Sequence, residues 1–201
     1  MLINKLEIIA EIGVNHNGKL SYAKRLIDIA KKCKSTFVKF QMYNTDSHIL
    51  KNAKMTQYQK KNLSSTTSQF LMAKKYELSF NEFNELNNYC KRKKIKFLAS
   101  IFDLESLKNY VKLKIKFIKI PSGEITNFEL LDEISKHKFK VYLSTGMSNL
   151  KEINQAIKLL KSKRKIKDVV IMQCTSDYPS KLSNSNLLTI PSLKNKFKCK
   201  I

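Results

Sequence analysis

Leu6-Glu7-Ile8-Ile9-Ala10-Glu11-Ile12 runs directly into Gly13-Val14-Asn15-His16-Asn17-Gly18 near the start of the chain. The first run is short and mostly apolar, as a buried strand requires. Beyond the turn, Tyr22–Cys33 places Ala23, Leu26, Ile27, Ile29 and Ala30 on one helical face. The turn between strand and helix is therefore the segment that decides between α/β folds. A dinucleotide-binding unit would carry G-x-G-x-x-G there, and this chain has only four glycines in all. A phosphate-cradling glycine loop is absent, which argues against a dinucleotide fold and against a P-loop.

The same alternation repeats outward from that unit. Thr36–Met42, Ile95–Ile101, Phe117–Ile120, Lys140–Ser144 and Val169–Cys174 read as further strands. Helices are predicted over Ser79–Lys93, Leu104–Leu113, Asn127–His137 and from Asn149 to about Ser162. Ser79 with Glu82 forms a capping box, and Asp103 and Asn149 are N-caps. A sixth helix over Asn186–Lys194 is expected to be interrupted by Pro191, and Lys198–Ile201 reads as the first residues of a seventh strand. Successive βα units with continuous apolar strands mean a parallel sheet covered by helices, either doubly wound or a TIM-type (β/α) barrel. About six βα units plus the start of strand seven would make that barrel incomplete, in a single domain over residues 1–201.

Polar residues gather where these strands end: Glu11 on the first, Lys39 and Gln41 on the second, Ser100 on the third. Lys119, Ser122 and Glu124 follow the fourth, Ser144 and Thr145 the fifth, and Thr175, Ser176 and Tyr178 the sixth. In a barrel such positions converge on the C-terminal rim, where the active site lies. Serines there also serve as helix caps. A lysine inside an apolar strand is harder to explain as scaffold, because an ammonium buried without a partner is costly. Lys39 lies between Val38 and Phe40, and Lys119 between two isoleucines. Two such lysines with hydroxyls nearby and few acidic partners point to a small polyanionic substrate, a phosphate ester with a carboxylate.

Composition narrows the class further. The chain has 201 residues, 42% hydrophobic and 27% charged, which fits one ordinary domain and not a disordered segment. No apolar run approaches the ~20 residues of a membrane span. Met1–Ile12 carries Lys5, Glu7 and Glu11, unlike a signal peptide, so a cytoplasmic protein is expected. Cys33, Cys90, Cys174 and Cys199 are scattered and are read as reduced, buried thiols; His16, His48 and His137 show no ligand spacing. The formal net charge is +23, almost all of it lysine, with arginine only at Arg25, Arg92 and Arg164. Nucleic-acid readers lean on arginine, and these lysines are spread over helix surfaces, so an AT-rich codon bias explains the charge better than a nucleic-acid partner does.

The strand-end segments resemble the sialic acid synthase (N-acetylneuraminate synthase) family. The matching stretches are Ala10–Gly18, Val38-Lys39-Phe40-Gln41, Lys119–Glu124, Leu143-Ser144-Thr145-Gly146-Met147 and Gln173–Pro179, with Tyr58-Gln59-Lys60-Lys61-Asn62 and Glu77-Leu78-Ser79-Phe80 between them. Each is weak alone; together, in order, they cover essentially the whole chain. The resemblance implies a (β/α)₈ barrel that condenses phosphoenolpyruvate with an N-acetylhexosamine aldehyde to a nonulosonic acid and phosphate. By the same carry-over, Lys39 and Lys119 bind phosphoenolpyruvate, with Ser100, Ser122 and Ser144 adding hydroxyls. Glu11, Gln41 and Glu124 line the reacting centre, Glu124 being the first choice for proton transfer. Ser176 and Tyr178 lie by the substrate pocket. Pro121–Asn127 is closer to the sialic and legionaminic acid branch than to the pseudaminic one.

The chain also departs from the pattern. Ala99-Ser100-Ile101 stands where the family usually shows Ser-Thr-Pro, and Asp177 stands in place of the usual Asn before Tyr178-Pro179. The family's divalent metal, Mn or Mg, is held by two histidines expected beyond the end of this chain, so no metal ligand is assigned here and His16 is read as shaping its loop. The later barrel units and a C-terminal antifreeze-protein-like domain are expected to be missing, the full-length family being homodimeric, and the fragment is expected to be inactive alone. A remnant that binds phosphoenolpyruvate without turnover is the competing reading, and a basic nucleic-acid-binding protein a weaker one.

Overall fold

The computed structural model describes residues 6–55 and 68–201; the segment around Tyr58-Gln59-Lys60-Lys61-Asn62 lies outside the described residues. The chain divides into two compact units, Met1–Ser100 with Asn109–Leu113, and Ile101–Lys108 with Lys114–Ile201.

The first unit holds β1 (Ile9–Gly13), α1 (Leu20–Lys32), β2 (Phe37–Met42), α2 (Thr45–His48), α3 (Gln69–Tyr76), α4 (Phe80–Arg92) and β3 (Lys96–Ile101), with strand order β1-β2-β3. β1 and β2 are parallel, with Ala10 opposite Val38 and Glu11 opposite Lys39. Side chains alternate across a strand. Phe40 and Phe97 accordingly stack at 5.3 Å on one face, while Lys39 and Ser100 meet on the other. The strand predicted from Leu6 starts three residues later, since Leu6 and Ile8 are exposed. On α1 the expected apolar face narrows to Ala23, Ile27 and Ala30, with Ile29 exposed. The capping box at Ser79 and Glu82 is present, the Ser79 amide donating to the Glu82 carboxylate at 2.8 Å. Two short helices, α2 and α3, occupy what the sequence pattern left as a connection, because their caps Asn44 and Ser68 lead runs too short to show a period.

The second unit holds β4 (Phe117–Ile120), a 3₁₀ turn (Ser122–Glu124), α6 (Phe128–Ser135), β5 (Lys140–Ser144), α7 (Leu150–Lys161), β6 (Val169–Met172) and α8 (Thr189–Phe197), the helix α5 (Leu104–Lys112) being shared between the units. β4-β5-β6 are parallel in that order, with Lys119 opposite Tyr142 and Ser144 opposite Met172. The beginning of a seventh strand is present as a parallel bridge between Val170 and Lys200. Pro191 does not interrupt the last helix, contrary to expectation. It is the third residue of α8, in the first turn, where a backbone N–H has no helical partner to lose. Asn127 and Asn149 cap α6 and α7.

Helix ends show the cost of a glycine-poor chain. The left-handed position after a helix, usually glycine, is taken by Lys34, Lys94, Lys114 and Arg164, with φ of 59, 54, 55 and 54°. The cysteines are free, but only Cys90 is buried as expected. Cys33 is exposed because it is the C-cap of α1, and Cys174 and Cys199 are partly exposed. Among the described residues no helix is long and apolar enough to cross a membrane.

Candidate functional site

In the first unit the candidate residues assemble around Lys39. The register that sets Glu11 beside Lys39 also sets their side chains on one face, and the Lys39 ammonium lies 2.5 Å from a Glu11 carboxylate oxygen. The same ammonium donates to the Ser100 hydroxyl at 3.0 Å. Lys39 and Ser100 are buried, whereas the Glu11 side chain is 53% exposed, so the ion pair opens to solvent on the carboxylate side. The expectation of few acidic partners is corrected here: strand pairing supplies one to Lys39. Gln41 lies two residues further along the same strand face, and its amide and the Glu11 carboxylate both border Gly13.

Immediately after β1, His16 is buried, and its Nδ1 accepts the Gly18 amide at 3.1 Å. Burial holds the imidazole below its ordinary value, against the Glu82 charge and a backbone hydrogen bond at Gly13. The neutral ring closes the Asn-His-Asn-Gly turn, as the sequence suggested. Gly18, at φ +70°, sits where a Cβ would come within 2.4 Å of the Lys75 carbonyl oxygen, so this turn needs its glycine.

In the second unit a different cluster forms at the ends of β4, β5 and β6. The Ser122 hydroxyl lies 3.3 Å from Cys174 Sγ, and the Gly146 amide donates to the same sulfur at 3.2 Å. A Cβ on Gly146, whose φ is +40°, would lie 2.5 Å from both the Ser122 Cβ and the Ser176 Oγ, so Ser122, Ser176 and Cys174 all converge on this glycine. Burial pushes the Cys174 thiol up, but its hydrogen-bonding environment of Ser122, Gly146, Ser144 and Thr145 outweighs this and holds the thiol below its ordinary value. Cys90, buried without such donors, is instead pushed up to about 12.

The remaining predicted residues are placed as follows. Lys119 is buried and donates to the Ile120 carbonyl at 2.8 Å, on the strand face that also carries Tyr142 and Ser144. Glu124 ends the 3₁₀ turn and accepts from Asn127 Nδ2 at 2.8 Å, while Asn127 Oδ1 caps α6 through the Leu130 amide. Ser144 is buried, and Ser176 and Tyr178 are exposed. Cys174 was missed as a member of any site. The signal was its place in Gln173–Pro179 at a strand end, passed over because cysteine reads by default as a small hydrophobe. Among the described residues no group of three or more His, Cys, Asp or Glu side chains comes together to hold a metal ion.

A model described as the NeuB family matches residues 26–201. The chain is 43% identical over 197 residues to the N,N'-diacetyllegionaminic acid synthase of Campylobacter jejuni, covering 98% of this chain and 59% of that protein. It is 37% identical over 193 residues to the protein of the same description from Legionella pneumophila, covering 94% of this chain and 54% of the relative. Among solved structures, an N-acetylneuraminic acid synthetase from Leptospira borgpetersenii, crystallised with citrate, superposes with a TM-score of 0.83 at 31% identity, over 98% of this chain and 63% of that one. The fold class is thus the TIM-type (β/α) one, and the chain spans between half and two-thirds of the length of these proteins.

Proposed function

This chain belongs to the NeuB family of sialic acid synthases, and from that premise we propose that it carries the phosphoenolpyruvate-binding part of a nonulosonic acid synthase, of the N-acetylneuraminate or legionaminate type. The reaction joins C3 of the enol to the aldehyde carbon of an N-acetylhexosamine. Water then adds at C2, and phosphate leaves with the C2–O bond. The donor is a compact trianion at its most charged, and it needs fixed cations and hydroxyl donors more than it needs apolar surface.

The observation that carries the reading is the buried Lys39 with the Ser100 hydroxyl at 3.0 Å. Its carboxylate partner Glu11 is half-open to water, so an incoming anion can share the ammonium with it from the open side. Lys39 and Ser100 are assigned to the anionic donor, with Gln41 and Glu11 beside the reacting carbon. In the second unit Lys119, Ser122 and Ser144 form a further set of anion-binding candidates, and Ser176 and Tyr178 are assigned to the sugar side. Glu124 is assigned proton transfer: its carboxylate is oriented by Asn127, which leaves the other oxygen to take or give a proton. The described residues do not form a donor set for a divalent metal, and no step is assigned to one.

Calorimetric titration of phosphoenolpyruvate into the chain tests the assignment. Saturable binding is expected, and Lys39→Met is expected to weaken it by at least about ten-fold, the scale of removing one partner of a buried charge-assisted contact. Absence of binding, or equal affinity in Lys39→Met, overturns it.

A further inference from the structure

Cys174 is a residue at the centre of the second cluster for which the family resemblance provides no role. Its sulfur is not simply packed. It accepts the Gly146 amide at 3.2 Å and lies 3.3 Å from the Ser122 hydroxyl, with the Ser144 hydroxyl bearing on it as well. Ser122 follows β4 and Cys174 follows β6, so their contact joins two strand ends. We propose that Cys174 is a positioning residue that sets the direction in which the Ser122 hydroxyl donates, so that it faces an oxyanion.

The reasoning follows the protons. A serine hydroxyl has one proton to give and two lone pairs. If Ser122 donates into the sulfur, it has nothing left for a ligand oxygen. The sulfur already receives the Gly146 N–H. With its S–H turned onto Ser122 Oγ, the thiol satisfies one serine lone pair and leaves the Ser122 O–H free to point outward. A hydroxyl that is held in this way loses little rotational freedom when the anion arrives, and preorganised donors are the ones that strengthen anion binding. Alanine at position 174 removes this director without touching the serines. Serine at 174 keeps a donor and an acceptor in place. The role rests on the proposed function above only in naming phosphoenolpyruvate as the anion; inorganic phosphate is an independent probe.

The experiment compares the full chain with Cys174→Ala and Cys174→Ser, titrating phosphoenolpyruvate and inorganic phosphate separately and recording the urea midpoint of each variant. Cys174→Ala is expected to weaken inorganic phosphate binding about five-fold, the scale of one neutral hydrogen bond, with Cys174→Ser restored to within about two-fold of the parent. The inference is overturned if Cys174→Ala binds phosphate as the parent does. It is equally overturned if alanine and serine variants lose affinity together, in step with a lowered urea midpoint, which is what a packing role predicts. Phosphate binding that depends on Cys174, without any binding of phosphoenolpyruvate, upholds the positioning role and removes the synthase reading. Phosphoenolpyruvate binding with no effect of Cys174→Ala on either ligand does the reverse. No phosphate binding at all removes the positioning role.

Discussion

The cluster around Lys39 and the cluster around Cys174 both sit toward strand C-terminal ends, and they are built on opposite electrostatic principles. The first uses full charges: a buried ammonium, a carboxylate that strand register places beside it, and one hydroxyl. The second uses neutral dipoles: a thiol, two hydroxyls and a backbone amide drawn together by a glycine in the left-handed region. A charged cluster tolerates small displacements, because Coulomb attraction falls slowly with distance. A dipolar cluster does not, because hydrogen bonds weaken within a few tenths of an ångström and with modest rotation. The first cluster should therefore be sensitive to chemistry, and the second to shape.

The strongest way to break the contrast is Gly146→Ala. The new methyl group would collide with Ser122 and Ser176 at 2.5 Å and would hold a strained φ, so a loss of about 2–4 kcal/mol in urea unfolding is expected. A loss below about 0.5 kcal/mol would mean that the second cluster is as yielding as the first. Next in size is an asymmetry within the first cluster. Glu11→Gln leaves the buried Lys39 ammonium without its carboxylate and should destabilise by roughly 1–3 kcal/mol, whereas Lys39→Met leaves only a solvent-facing carboxylate and should stay within about 1 kcal/mol of the parent. Equal losses for the two variants would show that the pair, and not the buried ammonium, sets the stability.

A smaller effect reports on the turn that adjoins the first cluster. The native state holds His16 below its ordinary 6.5, so the unfolded chain binds the proton first as pH falls. Stability from this group is complete above 6.5 and is lost below it, down to the lowered native value, by at most about 1.4 kcal/mol per pH unit. Urea midpoints at successive pH values should flatten in His16→Asn relative to the parent, and an unchanged slope would assign the pH dependence elsewhere. The smallest change expected is a gain. Lys34→Gly and Lys94→Gly, at φ of 59 and 54°, exchange left-handed strain for glycine's freedom, and each should raise stability by about 0.5 kcal/mol in thermal unfolding.

Much of this was legible in the residues. The apolar runs of β4 and β5 match their predicted bounds, Phe117–Ile120 and Lys140–Ser144, because each is a short apolar run bracketed by polar or turn-forming residues. Capping at Ser79, Asp103 and Asn149 was equally readable, since these are local bonds between residues three apart. The first strand was misjudged by three residues because exposed Leu6 and Ile8 look the same in sequence as buried ones. Pro191 was read as a break because a proline's effect depends on its position in the helix, which a nine-residue element with weak start signals does not reveal. Lys39 was noticed as an oddity within an apolar strand, but its pairing with Glu11 depends on register between strands 28 residues apart in sequence.

The sequence by itself determined the βα alternation, the strand-end placement of Lys39, Ser100, Lys119, Ser122 and Ser144, and the absence of a glycine-rich phosphate loop, since all of these are properties of short windows. Only the tertiary structure decided which strand-end groups meet. Glu11 reaches Lys39 because two parallel strands share a register, and Cys174 reaches Ser122 because Gly146 has no side chain to hold β4, β5 and β6 apart at their ends. Contacts of this kind are made across long stretches of chain at tolerances of a few tenths of an ångström, and no local pattern of residue types encodes them.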